Sequence, residues 1–240
     1  MRLAYAASAF LLLAGCSRTA TTSVPPAGKA FGSALAEVSG GKQASGIGTT
    51  LDQPLVVQVN DAKGSPVAGA AVWIRSGGGA AATPSSGLTG SDGQFTTSVM
   101  LGGGAGGYQI VAATRDSAGK TIELRMDEIA LGYQETVGRQ LNDLYCSRCH
   151  DPESTPERVS NHDNLTKQAH AFTDGVTLNA MSDAGLAAII THGGPGLNRS
   201  PEMPPYGYTL SKSEISALMA YIRAVADPPY RLKGTTYAKN

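Results

Sequence analysis

The chain has 240 residues, and its 19 Lys plus Arg are matched by 19 Asp plus Glu, so its formal charge at neutral pH is zero. That balance excludes a nucleic-acid binder held by a basic field. Apolar residues at 41% can supply a core, 30 glycines announce many turns, and three cysteines leave at least one thiol outside any disulfide pairing. A length of this order accommodates one large or two small domains. The chain opens on Arg2 and an apolar run from Leu3 to Ala14. The run is shorter than the roughly 20 residues that cross a bilayer, so residues 1–15 read as a signal peptide.

Leu13-Ala14-Gly15-Cys16 closes that run. It resembles the lipobox of bacterial lipoproteins, against the plainer reading of a signal peptide with an incidental cysteine. The resemblance implies lipidation at Cys16, and Ser17 after it implies sorting to the outer membrane. Each buried acyl methylene contributes about 0.8 kcal/mol, so the expected protein is lipid-anchored in the cell envelope without spanning the membrane, facing the periplasm or the cell surface. Residues 16–33 are mostly Ser, Thr, Pro, Gly and Ala, a composition that favours a flexible tether.

Residues 34–130 alternate short apolar strands with turn chemistry. Leu55 to Val59 is a β-branched run that stops at Asp61-Ala62-Lys63-Gly64, and Val67 to Ile74 supplies the next strand. Leu88 to Met100 contains an Asp92-Gly93 turn, Tyr108 to Thr114 forms another strand, and Thr121 to Met126 alternates cleanly. The pattern predicts an all-β, antiparallel sandwich. The phrase from Pro54 to Gly69, with Ser91 to Gln94 and Ala105 to Ala113, resembles the bacterial Ig-like domains of invasin and intimin stalks. That resemblance implies a spacer or a module that docks a partner protein, and a sandwich without the inter-sheet disulfide. Period-2 alternation puts Trp73 on the face opposite Val72 and Ile74, either as an exposed docking anchor or covered by a bulge or a Gly-rich loop. The Gly77–Gly79 and Gly102–Gly107 stretches read as loops, because no Lys-Ser/Thr pair follows to make a phosphate site.

Residues 131–240 carry the chemistry. Val137, Leu141, Leu144 and Tyr145 form one helical stripe running into Cys146-Ser147-Arg148-Cys149-His150. C-x-x-C-H is the haem-attachment pattern: two thiols reach the two vinyl groups of one haem edge, and the histidine ligates the iron. A thioredoxin-like dithiol would need a βα context, and zinc would need further ligands such as His162 or His170. Downstream, Met203 sits on a Gly- and Pro-rich loop from Gly193 to Gly207 and can supply a thioether to the distal face. His162, His170, His192 and Met181 are the alternative ligands. Ser182 caps a helix bearing Leu186, Ile189 and Ile190 that ends at Gly193-Gly194-Pro195, and Ser211 with Glu214 forms a capping box for a last helix bearing Ile215, Leu218, Met219 and Ile222. Cys-Ser-Arg-Cys-His, Met203-Pro204-Pro205, Gly138 and Ala220 to Arg223 together resemble class I cytochromes c over residues 133–228. The resemblance implies an all-α fold with crossed terminal helices, one covalently attached haem c, and metal ligation by His150 and Met203. It departs from the family at Asn142, where an aromatic is usual.

The expected protein is therefore a membrane-anchored monohaem cytochrome, an electron carrier between redox partner proteins rather than an enzyme. The alternatives are an electron-transfer subunit of a membrane-associated dehydrogenase or oxidase complex, and an adhesion or assembly module carrying haem. A peroxidase would require an open distal position.

Overall fold

The computed structural model describes residues 28–152 and 159–230. The signal peptide, Cys16 and most of the tether lie outside the described residues. Nine strands follow in chain order among those described: β1 (Ala34–Ser39), β2 (Ala44–Gly46), β3 (Leu55–Asn60), β4 (Ala71–Ser76), β5 (Ala81–Thr83), β6 (Ser86–Leu88), β7 (Gln94–Met100), β8 (Gly106–Arg115) and β9 (Thr121–Leu131). They make a four-stranded sheet, β1-β3-β7-β5, and a five-stranded sheet, β2-β9-β8-β4-β6. All pairings are antiparallel except that of β2, whose Ala44–Gly46 runs parallel to Ile129–Leu131 of β9.

Alternation explains the layering. On β3, Leu55, Val57 and Val59 are buried while Val56, Gln58 and Asn60 are half-buried. They meet Val72 and Ile74 of β4, Ile110 of β8 and Met126 of β9 in one apolar core. Each such side chain contributes about 1.5–3 kcal/mol on full burial. Asp61 ends β3 by accepting hydrogen bonds from the Lys63 and Ser65 N–H groups at 2.8 and 2.9 Å, while Gly64 takes φ +83°. That conformation suits glycine.

Three strand expectations change. Val67 to Ala70 lies outside the strand, which begins at Ala71; the Thr89 hydroxyl, donating to Val67 O at 2.6 Å and accepting from Ala70 N–H at 2.9 Å, satisfies that stretch instead. Gly106 and Gly107 belong to β8, paired with Ala130 and Ile129, so the second glycine loop is shorter than its composition suggests. Trp73 keeps regular register opposite Ala113 and is nonetheless buried, with the Arg115 guanidinium 5.6 Å from its ring centroid. The exposed-anchor alternative therefore does not hold, and the ring carries a cation–π contact on one side.

Glu128 is the buried charge of the sheet domain. Its Oε2 accepts from the Gln43 N–H at 2.7 Å, while Oε1 has no partner among the described residues. Burial, opposed by backbone donors at Gln43 and Lys42 and reinforced by Glu37 and Asp127, pushes its carboxyl up from 4.5 to about 7.

Gly132 alone separates β9 from helix α1 (Tyr133–Leu141). Arg139 of α1 reaches back to the sheet domain: Nη1 donates to Ala44 O at 2.6 Å, and Nη2 pairs with Asp52. A π turn, Asn142–Cys146, leads into α2 (Ser147–His150), followed by α3 (Gly175–Leu178), α4 (Asp183–His192) and α5 (Lys212–Val225). An isolated bridge between Asp174 and Asp227 adds one extended pair to this helical region. Ser182 caps α4, and both halves of the Ser211–Glu214 capping box form on α5.

The π turn overturns part of the expected stripe. Leu141 is buried, but Leu144 is 73% exposed and Tyr145 is 41% exposed. An i→i+5 turn widens the helix, so the 3.6-residue period that would have carried Leu144 inward fails after Leu141, while Tyr145 still faces the cleft beside Cys146. Helices α1 and α5 cross at Gly138, where an added Cβ would lie 2.1 Å from Ala217 O and 2.7 Å from Tyr221 Cβ.

Two predictions follow from these contacts. Gly138→Ala should destabilise the helical domain by at least about 1–3 kcal/mol, because the obstacle is backbone rather than a flexible side chain; urea unfolding with a probe in that domain reads this. Burial of Glu128 favours its protonated form in the folded state, so this group's contribution is fully present below about pH 4.5 and is lost as pH rises to about 7. Unfolding free energies at intervals across that range should therefore fall with pH, by at most about 1.4 kcal/mol per unit from this group, and Glu128→Gln should flatten the slope.

Candidate functional site

Four side chains singled out in the sequence come together. Cys146, Cys149, His150 and Met203 all line one cleft, which has mainly apolar walls that include Leu186 and Ile190. The cleft is open on one side and has a volume of about 180 Å³.

Helix α1, the π turn and α2 deliver the thiols and the imidazole as one continuous segment. Both cysteines are free thiols, and burial, with smaller contributions from Cys149 and Asp143, pushes Cys146 up to about 12. A thiol so placed is protonated at neutral pH, the reverse of what dithiol exchange requires. His150 is held by its Nδ1, which donates to His170 O at 2.7 Å, and its ring lies against Phe172 with centroids 4.6 Å apart. Nε2 is then left as the lone-pair nitrogen. Burial holds the His150 pKa below its ordinary value, which keeps the ring neutral as ligation requires. The carbonyl and the aromatic ring lie in the polar stretch after the motif, where no spacing rule distinguishes them from solvated loop residues.

Opposite stands the loop bearing Met203. Gly193 and Gly194 let it approach: an added Cβ would meet Met203 O at 2.7 Å from Gly193 and Ser200 O at 1.7 Å from Gly194. The Gly194 N–H donates to Met203 O at 2.9 Å, and the Tyr206 hydroxyl donates to Tyr145 O at 2.9 Å, joining the far end of the loop to the π turn. Met181 also lines the cleft, so the structure brings both candidate methionines to it. His170 lines it too, with Nδ1 engaged by Asp174 at 3.1 Å. His162 spends both ring nitrogens on Asp163 and Ala169 O, and neither it nor His192 lines the cleft. Among the described residues no group of three or more His, Cys, Asp and Glu side chains converges as a metal cluster.

Arg223 of α5 ties the remaining wall. It donates to Leu178 O and Met181 O at 2.7 Å each and pairs with Asp183 at 2.9 Å. One guanidinium thus satisfies the end of α3 and fixes the start of α4.

The donor set suits a haem. Two thiols, one neutral imidazole with its Nδ1 already committed, and a thioether on a backbone-braced loop face one apolar cleft.

The family model described as cytochrome C oxidase, cbb3-type, subunit III matches residues 134–222. No curated protein matches the chain. Among solved structures the chain is similar to the D0-D1 domain of intimin, at 15% identity over 40% of this chain and 46% of that one, with a TM-score of 0.32. It is also similar to the Yersinia pseudotuberculosis adhesin InvE, at 14% identity over 41% and 32% with a TM-score of 0.33. Invasin, a bacterial integrin-binding protein, gives 21% identity over 40% and 18% with a TM-score of 0.28. The chain spans less than half the length of each of these structures. These likenesses fall over its N-terminal, β-rich part. The matched helical segment, residues 134–222, is thus similar to the cytochrome c domain that this family model describes.

Proposed function

We propose that the protein is a lipid-anchored monohaem c-type cytochrome that passes single electrons between redox partner proteins. The observation that carries this reading is the convergence of Cys146, Cys149, His150 and Met203 on one apolar cleft, with Nδ1 of His150 already spent on His170 O. In this reading Cys146 and Cys149 would hold haem c through thioethers, and His150 and Met203 would ligate its iron, as in class I cytochromes c. When bound, the haem supplies a one-electron ferric/ferrous couple. His150 orients through its carbonyl partner, the Met203 thioether favours the reduced state, and the leucine and isoleucine walls exclude water. With both axial positions filled by protein, no site remains for a substrate at the metal, which favours a carrier over a peroxidase.

The sheet domain serves as spacer or docking module, and Cys16 as the lipid attachment that holds the chain in the cell envelope, in the outer membrane by the residue that follows it. Among the described residues no helix is long and apolar enough to cross a membrane. A second reading makes the chain an electron-transfer subunit of a membrane-associated oxidase complex, favoured by the description of the family model that matches residues 134–222. Co-purification of a catalytic subunit distinguishes it from a free carrier.

The purified chain should show the absorption spectrum of a two-thioether c-type haem when reduced. Met203→Ala should lower its midpoint potential by on the order of 0.1 V and admit small ligands to the ferric form. A variant with the spectrum and potential of the wild type would transfer the distal role to another residue, Met181 first.

A further inference from the structure

Two loops face each other across the cleft. Residues 165–172 supply the carbonyl that holds His150, and residues 199–206 carry Met203. Of the hydrogen bonds among the described residues, those that join these two loops all end on one side chain, that of Glu202. Its Oε1 accepts from the Thr166 N–H at 3.1 Å and from the Thr166 hydroxyl at 3.3 Å, and its Oε2 accepts from the Lys167 N–H at 3.5 Å. The carboxylate is braced from its own loop: the Ser200 hydroxyl donates to Oε2 at 3.4 Å, and the Glu202 N–H donates to Ser200 Oγ at 3.3 Å.

We infer that Glu202 is a positioning residue, a latch that ties the Met203 loop to the loop behind His150. The inference rests on the haem reading above and adds to it a residue that no motif marks. Glu202 immediately precedes Met203, so the anchor acts on the backbone that carries the thioether. Its partners lie three and four residues before His170, whose carbonyl accepts from the proximal imidazole. One carboxylate therefore constrains both axial sides. A hydrogen bond between a charged acceptor and a backbone N–H is stronger than its neutral counterpart, and three donors on one group share the entropy of ordering it. Releasing the latch leaves Met203 attached to the protein through Gly194 and Tyr206 but lets its loop lift, which opens the distal position without removing the ligand.

The test uses the full haem-loaded chain and imidazole as the probe. Glu202→Ala should raise the rate at which imidazole captures the ferric haem by about tenfold, weaken the methionine-to-ferric charge-transfer band and lower the potential. Glu202→Gln keeps an acceptor oxygen for Thr166 and should recover most of the wild-type rate and band. A Glu202→Ala protein with wild-type imidazole kinetics and an intact band overturns the latch. Should that variant fail to take up haem, Thr166→Val, which deletes only the hydroxyl donor, carries the test. An increase of about twofold supports the inference, and an unchanged rate overturns it. The wild-type spectrum decides the haem reading separately, because it is recorded before any variant is compared.

Discussion

The close crossing of α1 and α5 at Gly138 is the constraint on which the rest of the helical domain depends. An added Cβ would stand 2.1 Å from Ala217 O, so the two backbones approach as only glycine permits. That contact fixes the direction in which the chain leaves α1, and the π turn and α2 follow without a loop. The positions of Cys146, Cys149 and His150 are thus set by packing that occurs before the motif begins. On the other helix, Leu218 and Ile222 line the cleft while Arg223, one residue further on, leaves it to hold the α3–α4 connection. The same crossing therefore positions both the attachment segment and the opposite wall.

How much of this was legible in the sequence depends on the range of the interaction. Local rules worked where they were sufficient. The Ser182 cap, the Ser211–Glu214 box and the Asp61 turn involve partners within a few residues, and all are present. The grouping of Cys146, Cys149 and His150 at one cleft was legible for the same reason, because C-x-x-C-H keeps them together by covalent proximity. Leu144 was misread because a helical period presumes a uniform helix, and the π turn breaks that uniformity just before the thiols. His170 O, Phe172 and Glu202 were not legible at all. Their contribution is a contact with residues 20 or more positions away, and a backbone carbonyl leaves no trace in residue type.

The Met203 loop follows a different logic from the segment that carries His150. His150 is held by a covalent run and one strong hydrogen bond. Met203 is held by shape: two glycines that admit its loop, a carbonyl bonded to the Gly194 N–H, and the Tyr206 hydroxyl reaching Tyr145 O. Loops held by few hydrogen bonds open at lower free energy than packed helices. The asymmetry means that a change in loop contacts should displace Met203 before it displaces His150.

The junction between the two regions also bears on the role of the sheet domain. A flexible tether between β9 and α1 would let the helical region rotate freely, and Gly132 alone could not prevent some bending. Here the connection is reinforced from both sides. β2 pairs with the last residues of β9, the Thr136 hydroxyl donates to Gly132 O at 2.8 Å, and Arg139 joins Ala44 O and Asp52. Arg139 sits one residue after Gly138, so the helix that crosses α5 on one side grips the sheet domain on the other. An isolated ion pair of this exposure would contribute little, on the order of 0–1 kcal/mol. Its weight comes from the company of a backbone acceptor and a parallel strand pair within a few residues. The sheet domain is thus braced against the helical region rather than hinged freely on Gly132.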